Sequence, residues 1–391
     1  MMDGGRVRFR VIACMMFLLV CQLGYLAAGV KTGLAGFADF RAFYGAGAIV
    51  RMGAGARLYE YELQHQVQNE RVGERTAALP FVYPGYAALP FAAVTGLGYR
   101  TAYWVFLGVN VVLLGVAVWL MLPWLQGLTA VWRGLPWMVF GCFYPVAVAL
   151  LQGQVSVALL VIVCGCFAAM ERGRMFLAGA VLALGLVKFH VVLPVALLFC
   201  WWRRWRFVGG FAAGAAGVGL ACLWVTGWAG MVSYARLVVT AAGTGSVGAA
   251  LDDSMRNSGR MPNLHGLVFA MAGDARWGTV VVGVLSVGVL VWTARQGASL
   301  GRAVVAGLLV SYHLHLHDVS LLLLPLGLAL NGMSLERVRS LWVRGATVFW
   351  MVSPVLVWVA GMGWNFVLAV TMIPFLVRWE RDKGDGLEAK T

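Results

Sequence analysis

The sequence predicts an all-α, polytopic integral membrane protein with roughly 10–13 transmembrane or short re-entrant helices. Of its 391 residues, 61% are apolar and 12% are charged, whereas about 25% of the residues in a soluble domain are charged. Uncharged runs near or above the length of a span, about 20 residues, recur at Val11–Val30, Thr76–Tyr99, Thr101–Trp132, Gly134–Met170, Phe207–Tyr234, Trp277–Ala294 and Gly345–Val377. No polar stretch is long enough to fold alone, so we expect residues 1–391 to form a single transmembrane domain.

The net charge of +14 has an ordinary explanation in a membrane protein, because cytoplasmic loops collect Lys and Arg. We therefore expect membrane lipids, and no nucleic acid, as partners. The seven cysteines lie mostly inside apolar runs, which is typical of small buried side chains and not of a disulfide framework.

The first predicted span covers about Phe9–Val30 and follows the basic segment Arg6–Arg10. We expect the span to be retained, because its apolar run is long and no small-residue cleavage site stands out. The basic segment places the N-terminus in the cytoplasm, so residues 31–80 form a first external loop. Within this loop, Phe40–Val50 and Leu58–Val72 are predicted to be short helices that lie along the membrane surface.

Polar residues or prolines interrupt several of the later apolar segments. Non-helical backbone at membrane depth is tolerated only where it is buried in protein or lines a cavity. The interruptions follow Pro80 and recur at Gln152–Gln154, Lys188–His190 and His313–Asp318. A second external loop is predicted at residues 227–276.

The charge distribution favours one topology for these interruptions. If each interrupted segment is a pair of short helices that dips in and turns back, Asp39 and the interruptions all face outwards. The basic segments then face the cytoplasm: Arg133, Glu171–Arg174, Arg203–Arg206, Arg295–Arg302, Glu336–Arg344 and a tail at residues 379–391. The last hairpin is predicted to turn near Gly361–Gly363.

Asp39 is the candidate catalytic base. It follows the first span directly, among aromatic residues, at the expected mouth of the membrane. A carboxylate held at that position is suited to accept a proton from a hydroxyl group. The alternative is a solvated loop carboxylate that pairs with Arg41.

Lys188 and His190 are candidate ligands for an anionic group, most simply a phosphate. A cation within an apolar segment costs roughly 2.5–3.5 kcal/mol on insertion scales, so it is a functional candidate by default. The alternative is a lysine that extends its side chain to the membrane interface.

His313, His317 and Asp318 belong to the run His-Leu-His-Leu-His-Asp. On a helix, His313 and His317 share a face with a spacing that can bind zinc. The alternatives are hydrogen bonds between helices, proton handling and phosphate binding, and we expect no metal.

Tyr83, Gln152, Gln154, Asn263 and His265 are weaker candidates, which also lie at breaks in apolar segments. The amide side chains are suited to hydrogen-bond the hydroxyl groups of a sugar. We expect Gln154, Tyr83 and His265 to contact a substrate.

Short motifs along the chain occur in a recognisable order. They are Asp39-Phe40, Leu58-Tyr59, Phe81-Val-Tyr-Pro84, Gly153-Gln154, Leu186-Val-Lys188 with a following Arg-Arg-Trp, and the late His-rich segment. Over roughly Asp39–Pro325, this order resembles glycosyltransferase family 87, the polyprenol-phosphate-mannose-dependent mannosyltransferases with a C-type glycosyltransferase fold.

The resemblance implies a membrane enzyme that moves a hexose, in the first place mannose, from a polyprenyl-phosphate donor to a lipid or glycan acceptor. Asp39 matches the family's catalytic base and Lys188 the lysine near the donor phosphate. Arg260 or a histidine is expected to assist Lys188 in an inverting displacement that needs no cofactor. The implied location is the inner (plasma) membrane, with the active site on the periplasmic or extracellular side.

The chain departs from the family pattern at three places. Gly85 follows Tyr83-Pro84 where a second proline is usual, and Phe189-His190 replaces the proline after Lys188. The late segment has the histidine run without the usual Ser-Pro.

Two other functions share some of these features. A secondary transporter or flippase of a lipid-linked or anionic solute also has intramembrane charges and broken helices. A scaffold without chemistry is the third possibility. The long first loop and the absence of a visible internal repeat favour the enzyme.

Overall fold

The computed structural model describes residues 4–242, 261–273, 276–360 and 365–377. The regular structure of these residues is helical, without a strand, which confirms the all-α prediction. The α-helices are α1 (Gly4–Leu34), α2 (Phe40–Arg51), α3 (Tyr61–Arg71), α4 (Leu89–Val94), α5 (Tyr99–Met121), α6 (Gln126–Val131), α7 (Leu135–Gly141), α8 (Tyr144–Gln152), α9 (Ser156–Glu171), α10 (Met175–Ala183), α11 (Phe189–Trp201), α12 (Trp205–Ala242), α13 (Leu264–Ala272), α14 (Arg276–Arg295), α15 (Leu300–Val310), α16 (Leu323–Ser334), α17 (Leu341–Ala360) and α18 (Asn365–Met372).

Short 3-10 helices link several of these elements, at Gly55–Arg57, Gly85–Ala88, Leu122–Trp124, Leu184–Lys188, Leu316–Leu322 and Ile373–Leu376. Arg260, the predicted turn at Gly361–Gly363 and the tail at residues 379–391 lie outside the described residues.

Six helical runs in the described residues are long and apolar enough to cross a membrane: Arg8–Leu34, Tyr99–Trp124, Met175–Trp201, Trp205–Thr240, Trp277–Arg295 and Leu316–Ser334. The pair α7 and α8 also qualifies, with a bend of 56° between its halves. Shorter apolar helices include α9, α15 and the start of α17. The chain is therefore a polytopic α-helical membrane protein, as predicted.

The run Met175–Trp201 turns back at Lys188. Gly179 packs against the backbone of Phe207, and Gly210 packs against the backbone of Phe176. These contacts place the start of α12 beside α10, although the whole of α11 separates them in sequence. Lys188 has non-helical angles of φ −118° and ψ 59°, so the chain reverses between α10 and α11.

A second pair of helical segments that fold back on each other consists of α15 and the run Leu316–Ser334. The start of α15 packs against the start of α16, because a Cβ atom added at Gly301 would lie only 3.5 Å from Pro325. The chain reverses in the irregular segment that follows Ser311. This turn and the turn at Lys188 lie side by side, because His190 and Ser311 share a hydrogen bond of 2.6 Å.

Other contacts join helix ends that lie away from Lys188. The guanidinium of Arg172 lies 5.3 Å from the ring centroid of Trp124. The indole N–H of Trp202 donates to the carbonyl oxygen of Ala294 at 2.8 Å, and the N–H of Gly127 donates to Asn331 at 2.7 Å. These contacts bring segments that are predicted to be cytoplasmic together in pairs.

The first loop is folded against the helices. Helix α2 is buried from Phe40 to Ile49, so it lies inside the protein and not along the membrane surface as predicted. Helix α3 places the buried amides of Gln64 and Gln68 beside the next segment, where the N–H groups of Leu79 and Phe81 donate to them. Because these amides satisfy the extended backbone, the segment leading to Tyr83 has a fixed course.

Helix α12 extends into the predicted second loop, residues 227–276, and is kinked at Gly227. The angles there, φ 62° and ψ 180°, are essentially restricted to glycine. The part of α12 after the kink packs over the first loop, where the ring of Tyr234 lies 5.1 Å from that of Tyr59. The second predicted loop therefore begins as a helix.

Candidate active site

Asp39 is held by the turn between α8 and α9. Its carboxylate oxygen Oδ2 accepts a hydrogen bond of 2.6 Å from the side-chain amide of Gln154, and its backbone N–H donates to Gln152 at 3.2 Å. The residue is half-buried. One turn thus fixes both the backbone and the side chain of the candidate base.

Arg41 is not the partner of Asp39. Its guanidinium, 1% exposed, donates instead to Gln68, Asn69 and the carbonyl oxygen of Gly73. The alternative of a solvated Asp39–Arg41 pair is therefore wrong, and Arg41 joins α2 to α3. Burial, together with the nearby Arg75, lowers the pKa of Arg41 from its usual value.

The turn that holds Asp39 requires glycine at position 153. Gly153 has φ +61°, in the left-handed region, where a side chain is strained. A Cβ atom at this position would also lie 2.6 Å from the Cβ of Phe40. The turn can therefore approach α2 closely enough for its two glutamines to reach Asp39.

Tyr83 connects Asp39 to the lysine. Its hydroxyl donates to the amide oxygen of Gln154 at 3.4 Å and accepts from the ammonium of Lys188 at 3.2 Å. The ring stacks on Phe43 with centroids 4.8 Å apart. Burial raises the pKa of Tyr83 more than Lys188 lowers it, so the phenol stays neutral and can bridge the two groups.

Lys188 forms a buried ion pair with Asp318. The ammonium nitrogen lies 3.2 Å from the carboxylate, and the two side chains are 2% and 0% exposed. Asp318 also accepts from the hydroxyl of Ser156 at 2.7 Å and from the backbone N–H of His315 at 3.4 Å. The lysine therefore does not extend to the membrane interface. Sequence analysis selected both charges but missed that they pair.

The histidines surround this ion pair without forming the predicted helical face. The segment before Leu316 is irregular, so His313 and His317 do not share a face. His317 is buried and its Nε2 lies 3.5 Å from Asp318. His313 lies between His315, with ring centroids 4.5 Å apart, and His190, at 6.2 Å. Within the described residues, no three His, Cys, Asp or Glu side chains are arranged to hold a metal ion.

His265 lies farther from these contacts, on α13. Its neighbour Asn263 caps that helix by accepting from the N–H of Gly266 at 3.1 Å, and donates to the carbonyl oxygen of Ser311 at 2.6 Å. Burial lowers the pKa of His265. The structure thus connects Asn263, more directly than His265, to the turn that bears His313.

A cavity lies against the lysine. Four parts of the chain line it: the segment before Pro84, the break between α10 and α11, the later part of α12, and the turn after α15. The lining residues are Val82, Tyr83, Val187, Lys188, Phe189, His190, Leu237, Val238, Tyr312 and His313. Asp39 is connected to this cavity through Gln154 and Tyr83. Sequence analysis missed Tyr312 and the residues on α12, because they are ordinary apolar or aromatic residues in the sequence.

The fold and the site define a polytopic membrane protein in which a half-buried carboxylate is connected to a buried lysine beside a cavity. Residues 81–325 match the model of glycosyltransferase family 87, so the chain belongs to this family and is a membrane glycosyltransferase. No curated protein matches the chain, and no solved structure matches it. The matched region contains Tyr83, Gln154, Lys188 and Asp318, and Asp39 precedes it. A sugar donor, an acceptor and membrane lipids follow as partners.

Proposed function

We propose that this glycosyltransferase moves mannose from a polyprenyl-phosphate donor to a hydroxyl group of a lipid or glycan acceptor, with inversion at the anomeric carbon. The observation that carries the proposal is the hydrogen-bonded path from Asp39 through Gln154 and Tyr83 to Lys188. It joins a group suited to activate a hydroxyl with a group suited to hold a phosphate.

Asp39 acts as the general base in this proposal. Gln154 fixes the orientation of its carboxylate, and the half-buried position leaves a side open to an acceptor. Asp39 removes the proton from the acceptor hydroxyl while that oxygen attacks the anomeric carbon. The bond between the anomeric carbon and the phosphate oxygen breaks, and polyprenyl phosphate leaves with the electron pair.

Lys188 binds the donor phosphate. Its ammonium has three N–H groups; the contacts with Tyr83 and Asp318 use two of them, so a third remains for a phosphate oxygen. Because Asp318 already balances the lysine charge, the phosphate also needs neutral donors. His190 and His313 line the same cavity and are suited to this role. His317 contacts the carboxylate of Asp318.

The outer face of the plasma (inner) membrane is the proposed place of reaction. Ser156 and Lys188 both contact Asp318 where α9 and α11 begin, and the basic connections at Arg172 and after Trp202 follow the other ends of these two helices. Since basic loops stay in the cytoplasm, the cavity opens on the periplasmic or extracellular side. A lipid-linked donor supplies its sugar there without a nucleotide.

A reconstituted transfer assay tests this function. The purified protein in nanodiscs receives polyprenyl-phosphate-mannose and extracted membrane lipids, and mass spectrometry follows the products. We expect a mannosylated acceptor and one polyprenyl phosphate released for each sugar transferred. Transfer from a nucleotide sugar, with none from the lipid donor, would contradict the proposal.

A further inference from the structure

Tyr234 has a buried hydroxyl group without a hydrogen-bond partner among the described residues. Buried polar atoms in proteins are nearly always bonded, so one that is not needs an explanation. A hydroxyl that lacks a partner within the described residues can gain one from a ligand.

The position of Tyr234 relates this hydroxyl to the active-site cavity. Leu237 and Val238 follow Tyr234 by three and four residues on α12, so they lie on the same side of the helix, and both line the cavity. The ring of Tyr234 packs on Tyr59, whose hydroxyl donates to the carbonyl oxygen of Tyr83 at 2.9 Å. The phenol of Tyr234 also lies within electrostatic reach of those of Tyr83 and Tyr312.

A second buried polar atom without a partner belongs to a residue that lines this cavity. It is Nδ1 of His313, on the turn after α15. Ser311 bonds the backbone of His313 and not its ring. One unmet polar atom therefore belongs to a residue that lines the cavity, His313, and the other to Tyr234, one helical turn before the lining residues Leu237 and Val238.

We propose that Tyr234 is a donor-binding residue whose hydroxyl bonds to a hydroxyl group of the transferred sugar. This assignment rests on the proposed function. Lys188 holds the phosphate at the inner end of the cavity, and Tyr234, with Tyr59 behind it, receives the sugar attached to that phosphate. Aromatic rings with a polar tip suit this task, because they combine an apolar face with a hydrogen bond.

The cavity is too small to hold a sugar. It measures about 40 Å³, which is room for a few water molecules. The part of α12 that carries Tyr234 begins at the kink of Gly227, where glycine leaves the backbone free to change. The proposed site therefore requires this part of α12 to shift when the donor binds.

Tyr234→Phe tests the proposal, because it removes only the hydroxyl. We expect the thermal midpoint to stay unchanged or rise, since an unbonded buried group is lost. Affinity for polyprenyl-phosphate-mannose should fall by about fivefold, the usual effect of one hydrogen bond, and affinity for polyprenyl phosphate alone should not change.

Tyr44→Phe is the matched control, because that hydroxyl is bonded to the carbonyl oxygen of Leu97 at 2.7 Å. It should lower the thermal midpoint and leave donor affinity as in the wild type. Wild-type donor affinity in Tyr234→Phe, or equal losses for the donor and polyprenyl phosphate, would overturn the assignment. Binding is measured without transfer, so this failure is distinct from a wild-type protein that transfers no mannose.

Discussion

Asp318→Asn is expected to destabilise the protein strongly, by about 3–5 kcal/mol. The ammonium of Lys188 and the carboxylate of Asp318 are 3.2 Å apart, and their side chains are 2% and 0% exposed. At an effective dielectric constant of about 20, two charges at this distance attract each other by about 5 kcal/mol. The asparagine removes this attraction but leaves Lys188 buried without a counter-charge.

The double variant Lys188→Met with Asp318→Asn separates the stability cost of an unpaired buried lysine from the loss of the phosphate ligand. Removing both members of a buried ion pair is often close to neutral, so we expect the double variant to unfold near the wild-type midpoint. It should nevertheless remain inactive, because the phosphate ligand is lost.

Unfolding of the purified proteins in detergent, followed by heat or denaturant, measures this double-mutant cycle. We expect Asp318→Asn to be far less stable than the double variant, with a coupling of several kcal/mol. If the two single substitutions simply add, the ion pair does not form in the protein and the path from Asp39 to Asp318 is wrong.

Three further predictions concern Gly153 in the turn between α8 and α9, the orientation of the chain in the membrane, and whether transfer depends on a metal ion. Gly153→Ala should destabilise the protein by more than about 1 kcal/mol and lower transfer, because its Cβ meets Phe40; wild-type thermal stability would contradict this. A cysteine at exposed Glu74 should react with an impermeant thiol reagent on intact cells, whereas one at exposed Ala298 should not, and the reverse pattern would invert the topology. Transfer should persist with a chelator, and loss of activity that zinc restores would contradict a metal-free site.

The sequence predicts the class of fold and several of the candidate residues, but not Tyr312 or the cavity residues on α12. Charges stand out in apolar segments, so Lys188 and Asp318 could be selected one at a time. Their pairing joins positions 130 residues apart, and no local pattern contains that information. The same holds for Gln154, which was expected to contact a sugar and is bonded to Asp39.

The errors at the level of helices have a common physical cause. The aromatic and small residues of α2 suit a membrane surface as well as a protein interior, and only packing against Tyr99, Phe91 and their neighbours decides between them. Tyr234 falls within the loop that the sequence predicts from residue 227, whereas the structure has a kinked helix there. The conformational freedom of glycine permits the bend that lets the helix continue past residue 227.

Asp39→Asn gives the most direct test of the central claim, that Asp39 is the base of a lipid-linked sugar transfer. Asparagine keeps the shape of the side chain but cannot accept the proton, and general-base catalysis contributes about 10²–10⁴-fold in rate. The measurement is mannose transfer from polyprenyl-phosphate-mannose to extracted membrane lipids, with donor binding and thermal unfolding measured on the same sample. We predict a folded protein that binds the donor and has lost nearly all transfer, and Asp39→Glu should recover little, because the displaced carboxylate no longer fits the geometry. Near-normal transfer by Asp39→Asn would contradict the account.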